Sequence, residues 1–313
     1  MTAKKIVVAD DNGHWASQWR RLLDDRREGQ FIVTHVNSPE AMRDHLAADP
    51  EVWLAVIDMD FNRASHKTGL HALMTAERNA RERPKGRVLH TIVTTVDDAD
   101  NRLLFLHTAF QCFDPPPVDL ILKDNDFDSA VLDALGHLTA GGLPARTRYK
   151  SFAPGREDEP PMRKLLGGKC SKTGEPLRLT LWRTLGGITA EEGDVGALQQ
   201  VQNATGIKSK QIYGHLRSAL EGAQGSVRSG DSGDSGGMRF PPRAMVNAAS
   251  PEKRKGGEVI SPLREFAAAH ALFFQAPELE EIVKERLLDP VRDEGPSRRW
   301  PGTRQGRGKI TGS

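Results

Sequence analysis

Asp10, Asp11, Asp58, Thr95 and Lys123 share one kind of placement: each ends or directly follows a short apolar run, in the stretches VVADD, VIDMD, IVTT and LILKD. Scattered over a surface, such residues are ordinary loop polarity. Gathered at one point, three carboxylates repel one another and call for a hard cation, and Mg2+ is the ion that takes one or two carboxylates together with phosphate oxygens. With Mg2+ and the Lys123 ammonium neutralising charge, the Asp58 carboxylate is placed to attack phosphorus and become an aspartyl phosphate. The Thr95 hydroxyl would then hydrogen-bond one phosphoryl oxygen and Lys123 would pair with another.

Such a gathering needs a scaffold, and the first 140 residues supply the pattern for one. Runs rich in Val and Ile at 6–8, 31–36, 52–57, 89–94 and 118–122 predict five strands, nearly continuous in apolar character where both faces are buried. Helical spacing recurs between them: Trp15, Trp19, Leu22 and Leu23; then Ala41, Met42 and Leu46 behind a Ser38 cap and Pro39; then Leu70, Leu73 and Met74. Leu103, Leu104 and Leu106 mark a fourth helix, and Val131, Leu132, Leu135 and Leu138 a fifth. Alternating strands and helices predict an α/β flavodoxin-like (βα)5 domain with sheet order 2-1-3-4-5 and its site at the carboxyl ends of the strands.

Those motifs at those strand ends resemble the receiver domain of two-component response regulators, over about 140 of the 313 residues. The resemblance implies that Asp10 and Asp11 are the acidic metal-binding pair and Asp58 the phosphoacceptor. It further implies that Asp60 gives its backbone carbonyl to the metal, that Thr95 is the switch hydroxyl, and that Lys123 reads the phosphate. The sequence also departs from the family. Phe61 and Asn62 replace the usual Met-Pro pair, Asp124 rather than proline follows the lysine, and strand 5 carries Leu120 where an aromatic switch is usual, with Phe113 as a relocated alternative. The stretch ERNARERPKGR before strand 4 reads as a charged insert. Chemistry therefore looks intact, while transmission of the signal looks nonstandard.

The remainder has a different character. Residues 1–142 carry 16 Lys/Arg and 22 Asp/Glu, whereas 143–313 carry 28 and 20, so an acidic front meets a basic back suited to phosphates. Residues 141–176 read as a basic Pro/Gly linker, 223–260 as a flexible Gly/Ser-rich linker and 291–313 as a basic disordered tail. Between them, LQQVQNATGIKSKQIYGHLRSALEG within 177–222 reads as helix, tight turn at Gly206, and second helix capped by Ser209. It resembles a bacterial helix-turn-helix, and its second helix would present Lys208, Ser209, Lys210, Gln211, Tyr213, His215 and Arg217 to DNA. The amphipathic stretch 261–290 carries too many large apolar residues for an isolated helix and is expected to serve as a dimer seam or docking helix.

No run of 18 apolar residues predicts a membrane span, and the N-terminus lacks the pattern of a signal peptide. Cys112 and Cys170 are too few for a disulfide framework and read as thiols in a reducing cytoplasm. The expectation is a non-enzymatic, homodimeric transcription regulator fed by a sensor histidine kinase. The competing reading is an adaptor whose C-terminal helices bind protein instead of DNA.

Overall fold

The computed structural model describes residues 3–26, 29–61, 67–84, 86–96, 99–142, 161–167, 174, 176–188, 193–224 and 260–288. Strands β1 (Lys4–Ala9), β2 (Phe31–Val36), β3 (Val52–Asp58), β4 (His90–Thr95) and β5 (Asp119–Leu122) form one parallel sheet in the order β2-β1-β3-β4-β5. β3 is buried almost throughout, as its unbroken VWLAVID run demands of a strand covered on both faces.

Helices α1 (Gly13–Arg26) and α5 (Phe127–Thr139) cover one face, closing a core that includes Trp19, Leu23, Phe127 and Val131. On the other face lie α2 (Pro39–Ala48), α3 (Gly69–Glu82) and α4 (Ala99–Cys112). Ser38 accepts the N–H of Ala41, capping α2 as its sequence predicts. The domain therefore has the flavodoxin-like (βα)5 fold.

The second face is not the end of its core. The same apolar cluster runs on through Phe105 and Phe110 into helices α6 (Pro161–Leu166), α7 (Leu177–Gly186), α8 (Gly193–Thr205), α9 (Ser209–Gln224), α10 (Ile260–Ala269), α11 (Ala271–Phe274) and α12 (Pro277–Ile282). A π-helical turn, Val283–Leu288, extends α12. At the centre of this helical layer Trp182 is fully buried, stacked on Phe274 at 5.6 Å, edge-on to Phe266, and donating its indole N–H to the Leu165 carbonyl at 3.1 Å.

Three expectations are corrected here. Part of the expected 141–176 linker is the helix α6, whose Met162, Leu165 and Leu166 are buried against α7 and α9; six residues are too few to announce themselves by periodicity. The amphipathic stretch is not one helix but breaks at His270 and again at Gln275–Ala276, and it docks within its own chain on α3, α4 and α7. The charged insert is largely the end of α3, and Glu77 within it is buried. The expected flexible linker and basic tail lie outside the described residues, as does Cys170, apart from short overlaps with α9 and α10.

Candidate functional site: an acidic pocket at the carboxyl edge of the sheet

Register brings the polar residues together. Ala9 lies opposite Ile57, so Asp10 and Asp58 emerge side by side, while Asp58 is opposite Thr94 and Thr95 opposite Leu122, one residue before Lys123. Backbone hydrogen bonds fix this crest: Asp10 N–H to Val36 O at 3.0 Å, Met59 N–H to Thr94 O at 3.0 Å and Lys123 N–H to Thr95 O at 2.8 Å. Asp10 also accepts the N–H of Asn12 at 2.9 Å, which turns the chain into α1.

Lys123 Nζ bridges two buried carboxylates, 2.6 Å from Asp58 Oδ2 and 2.8 Å from Asp10 Oδ2. One ammonium against two carboxylates leaves net negative charge in a buried place. Burial accordingly pushes the Asp58 carboxyl up to about 7, with the Lys123 charge pulling it down and Asp10 pushing it further up. Asp11 is raised as well, by burial first and then by the charges of Asp10 and Asp60. A divalent cation is the direct remedy for such an excess.

The residues fit that ion. Oxygen atoms of Asp10, Asp11 and Asp58 lie within 4.8 Å of one another, and Asp58 Oδ1 is buried without a hydrogen-bond partner. Asp60 stands half-buried near Asp11. Thr95 is buried at the crest, its hydroxyl directed to the Val96 carbonyl at 3.3 Å rather than to Asp58. Two neighbours escaped the sequence reading: Trp15, taken as core, has its ring 5.9 Å from Lys123 Nζ, and His35 reaches the Asp10 carbonyl at 2.7 Å. His35 stands on the edge strand, where alternation gives no sign of such a contact.

Phe113, the alternative switch aromatic, is buried under the Arg286 guanidinium at 4.6 Å. It is thus a contact of the C-terminal segment.

In the second module, α8 ends at Thr205 and is followed by Gly206, whose φ of +70° is the left-handed turn only glycine adopts freely. Lys208, not Ser209, caps α9: its carbonyl accepts the N–H groups of Gln211 and Ile212, and Gln211 Oε1 accepts the Lys208 N–H at 3.1 Å. Ser209 is the first residue of the helix. Lys208 and Gln211 are exposed, while Tyr213, His215 and Arg217 are half-buried. Burial and the nearby Arg178 lower the affinity of the His215 ring for a proton. The side chains of Ser209 and Lys210 lie outside the described residues.

No protein-family model and no curated protein matches the chain. Among solved structures it is similar to the RcsB response regulator in complex with DNA, at 15% identity over 71% of this chain and 92% of that one, with a TM-score of 0.46. RcsB of Salmonella typhimurium, at 15% identity over 70% and 91%, has a TM-score of 0.44. A response regulator receiver protein from Burkholderia phymatum, at 18% identity, covers 45% of this chain and 98% of that one with a TM-score of 0.31. Among the described residues no helix is long and apolar enough to cross a membrane.

Proposed function

We propose that the chain is a response regulator that accepts a phosphoryl group on Asp58 and controls transcription through α8 and α9. The observation that carries this is the bridge from Lys123 to Asp10 and Asp58 beside an unpartnered, buried Asp58 Oδ1. Asp10, Asp11 and Asp58, with the Asp60 carbonyl, would hold Mg2+, which supplies charge neutralisation for phosphoryl transfer. Asp58 forms the new P–O bond as the P–N bond of a phosphohistidine on a sensor kinase breaks, the imidazole nitrogen keeping the electron pair. Lys123 then moves from two carboxylates to a phosphoryl oxygen, and Thr95 turns its hydroxyl from Val96 to another. Beyond transferring this group to and from itself, the chain carries out no catalysis.

The output reading is supported by α9, which packs on α6, α7 and α8 and leaves Lys208 and Gln211 exposed at its N-terminal end. Recognition helices meet base edges with that end. The regulator would act as a homodimer in the cytoplasm.

Two measurements test the reading. Intact mass after incubation with Mg2+ and a small phosphodonor should rise by one phosphoryl group, and Asp58→Asn should abolish the gain. Binding to duplex DNA should weaken steeply between about 50 and 200 mM salt, with Lys208→Ala lowering the salt slope by about one. No mass gain sinks the phosphoacceptor; no duplex binding at low salt sinks the transcription role and leaves an adaptor.

A further inference from the structure

The Asp58 strand end is touched from two sides. Lys123, which it shares with Asp10, holds its carboxylate, while the first residue of α3 presses on its backbone: a Cβ added to Gly69 would stand 2.4 Å from the Asp58 carbonyl oxygen and 2.6 Å from Met59 Cα. Immediately before it, Thr68 caps α3 by accepting the Leu70 N–H. The N–H of Thr68 in turn donates to Glu278 Oε1 at 3.0 Å, and its hydroxyl donates to the same oxygen. Glu278 belongs to α12, 210 residues away in sequence.

Glu278 is buried, and its second oxygen has no hydrogen-bond partner. A buried carboxylate with unmet acceptors is costly to keep in place. It is retained because Leu279, Ile282, Val283 and Leu287 are buried beside it and because Arg286 pairs with the buried Glu77 at 2.5 Å. The contact is held, but at a cost that makes it easy to tip. Behind it, Arg183 of α7 donates to the carbonyls of Phe274 at 2.6 Å and Ala276 at 3.3 Å. A continuous path of contacts therefore runs from Asp58 through Gly69, Thr68 and Glu278 to the helix that supports the helix-turn-helix.

We propose that residues 277–288 form a latch, docked while Asp58 is unmodified and loosened when a phosphoryl group rearranges the end of β3. This rests on the reading of Asp58 as phosphoacceptor. Gly69 lies against the Asp58 backbone with less space between them than one methyl group needs, so displacement there is passed to Thr68 and breaks the double hydrogen bond to Glu278. Loosening α12 from α3 weakens the hold of α11 on α4, and through α11 the tie between α7 and that face. Coupling of this kind is reciprocal: whatever undocks the latch must favour the modified site by the same factor.

The experiment is hydrogen–deuterium exchange on the full chain with Mg2+, with and without beryllofluoride, beside beryllofluoride titrations of Glu278→Ala, Glu278→Gln and Asp58→Asn. Peptides covering 277–288 should exchange about tenfold faster with beryllofluoride, and the half-saturating concentration should fall about threefold in Glu278→Ala and less in Glu278→Gln. Glu281→Ala, which removes only the exposed pair with Arg78, should titrate like the parent. If the parent responds to beryllofluoride while exchange at 277–288 is unchanged or slowed, the latch is wrong. If nothing responds in a manner that Asp58→Asn abolishes, the phosphoacceptor reading falls and the latch goes with it.

Discussion

Lys123 Nζ sits between Asp58 and Asp10 at 2.6 and 2.8 Å, a single buried ammonium shared by two buried carboxylates. Lys123→Ala leaves both uncompensated, at an expected cost of about 3–5 kcal/mol. Thermal unfolding should show a large fall in Tm, partly restored by millimolar Mg2+. An Mg2+-independent Tm in this variant would argue against the acidic triad as a cation site.

Gly69→Ala places a methyl group against the backbone of Asp58 and Met59 at 2.4 and 2.6 Å, where no side-chain motion can relieve it. The expected loss is about 1–3 kcal/mol, measured as a lower urea midpoint. Because the strand end must shift, weaker Mg2+ binding should accompany it.

Arg286 pairs with Glu77, donates to the Cys112 carbonyl at 3.0 Å and covers the Phe113 ring. Arg286→Ala leaves Glu77 with only Arg81 and the Asp114 N–H, both on Oε1, and should cost about 2–4 kcal/mol. Lysine cannot serve both acceptors in that fork geometry, so Arg286→Lys should recover less than half of the lost urea stability.

His107 is buried in α4, and burial depresses its pKa to about 4 from an ordinary 6.5. The unfolded chain therefore binds this proton at a higher pH than the folded one. The stability it contributes is complete above about 6.5 and is lost as pH falls toward 4. Unfolding free energy should decline across that window, and His107→Gln should flatten the decline.

Gly214 lies mid-helix in α9 with nothing within 4 Å of an added Cβ. Gly214→Ala should stabilise the chain by about 0.5–1 kcal/mol, read as a higher Tm. An unchanged or lower Tm would show that some neighbour limits this position.

The pocket was legible because each of its members ends an apolar run, and a parallel sheet can only align those ends on one edge. Asp10, Asp58, Thr95 and Lys123 needed no knowledge of loops. What lay hidden depended on distant partners. Nothing local marks Glu278 as the acceptor for Thr68, or Glu77 as buried, because the surroundings that decide both come from the far end of the chain. α6 escaped for another reason: PMRKLL is too short to display a face among prolines and charges. Ser209 was misplaced as a cap by one residue, since Lys208 offers its backbone rather than a side chain to the helix. The excess of apolar residues in 261–290 did signal an absent partner, but whether that partner was a second chain or the first could not be read from amphipathicity.

The ring of Phe273 stands edge-on to Phe105 of α4 at 5.0 Å, inside an apolar cluster that belongs to both halves of the molecule. A protein built this way is not a pair of interchangeable cassettes. Grafting another output region onto its first 142 residues would leave a greasy, unroofed flank on α4, so a viable chimera has to carry residues 260–288 along with the α3–α4 face they cover.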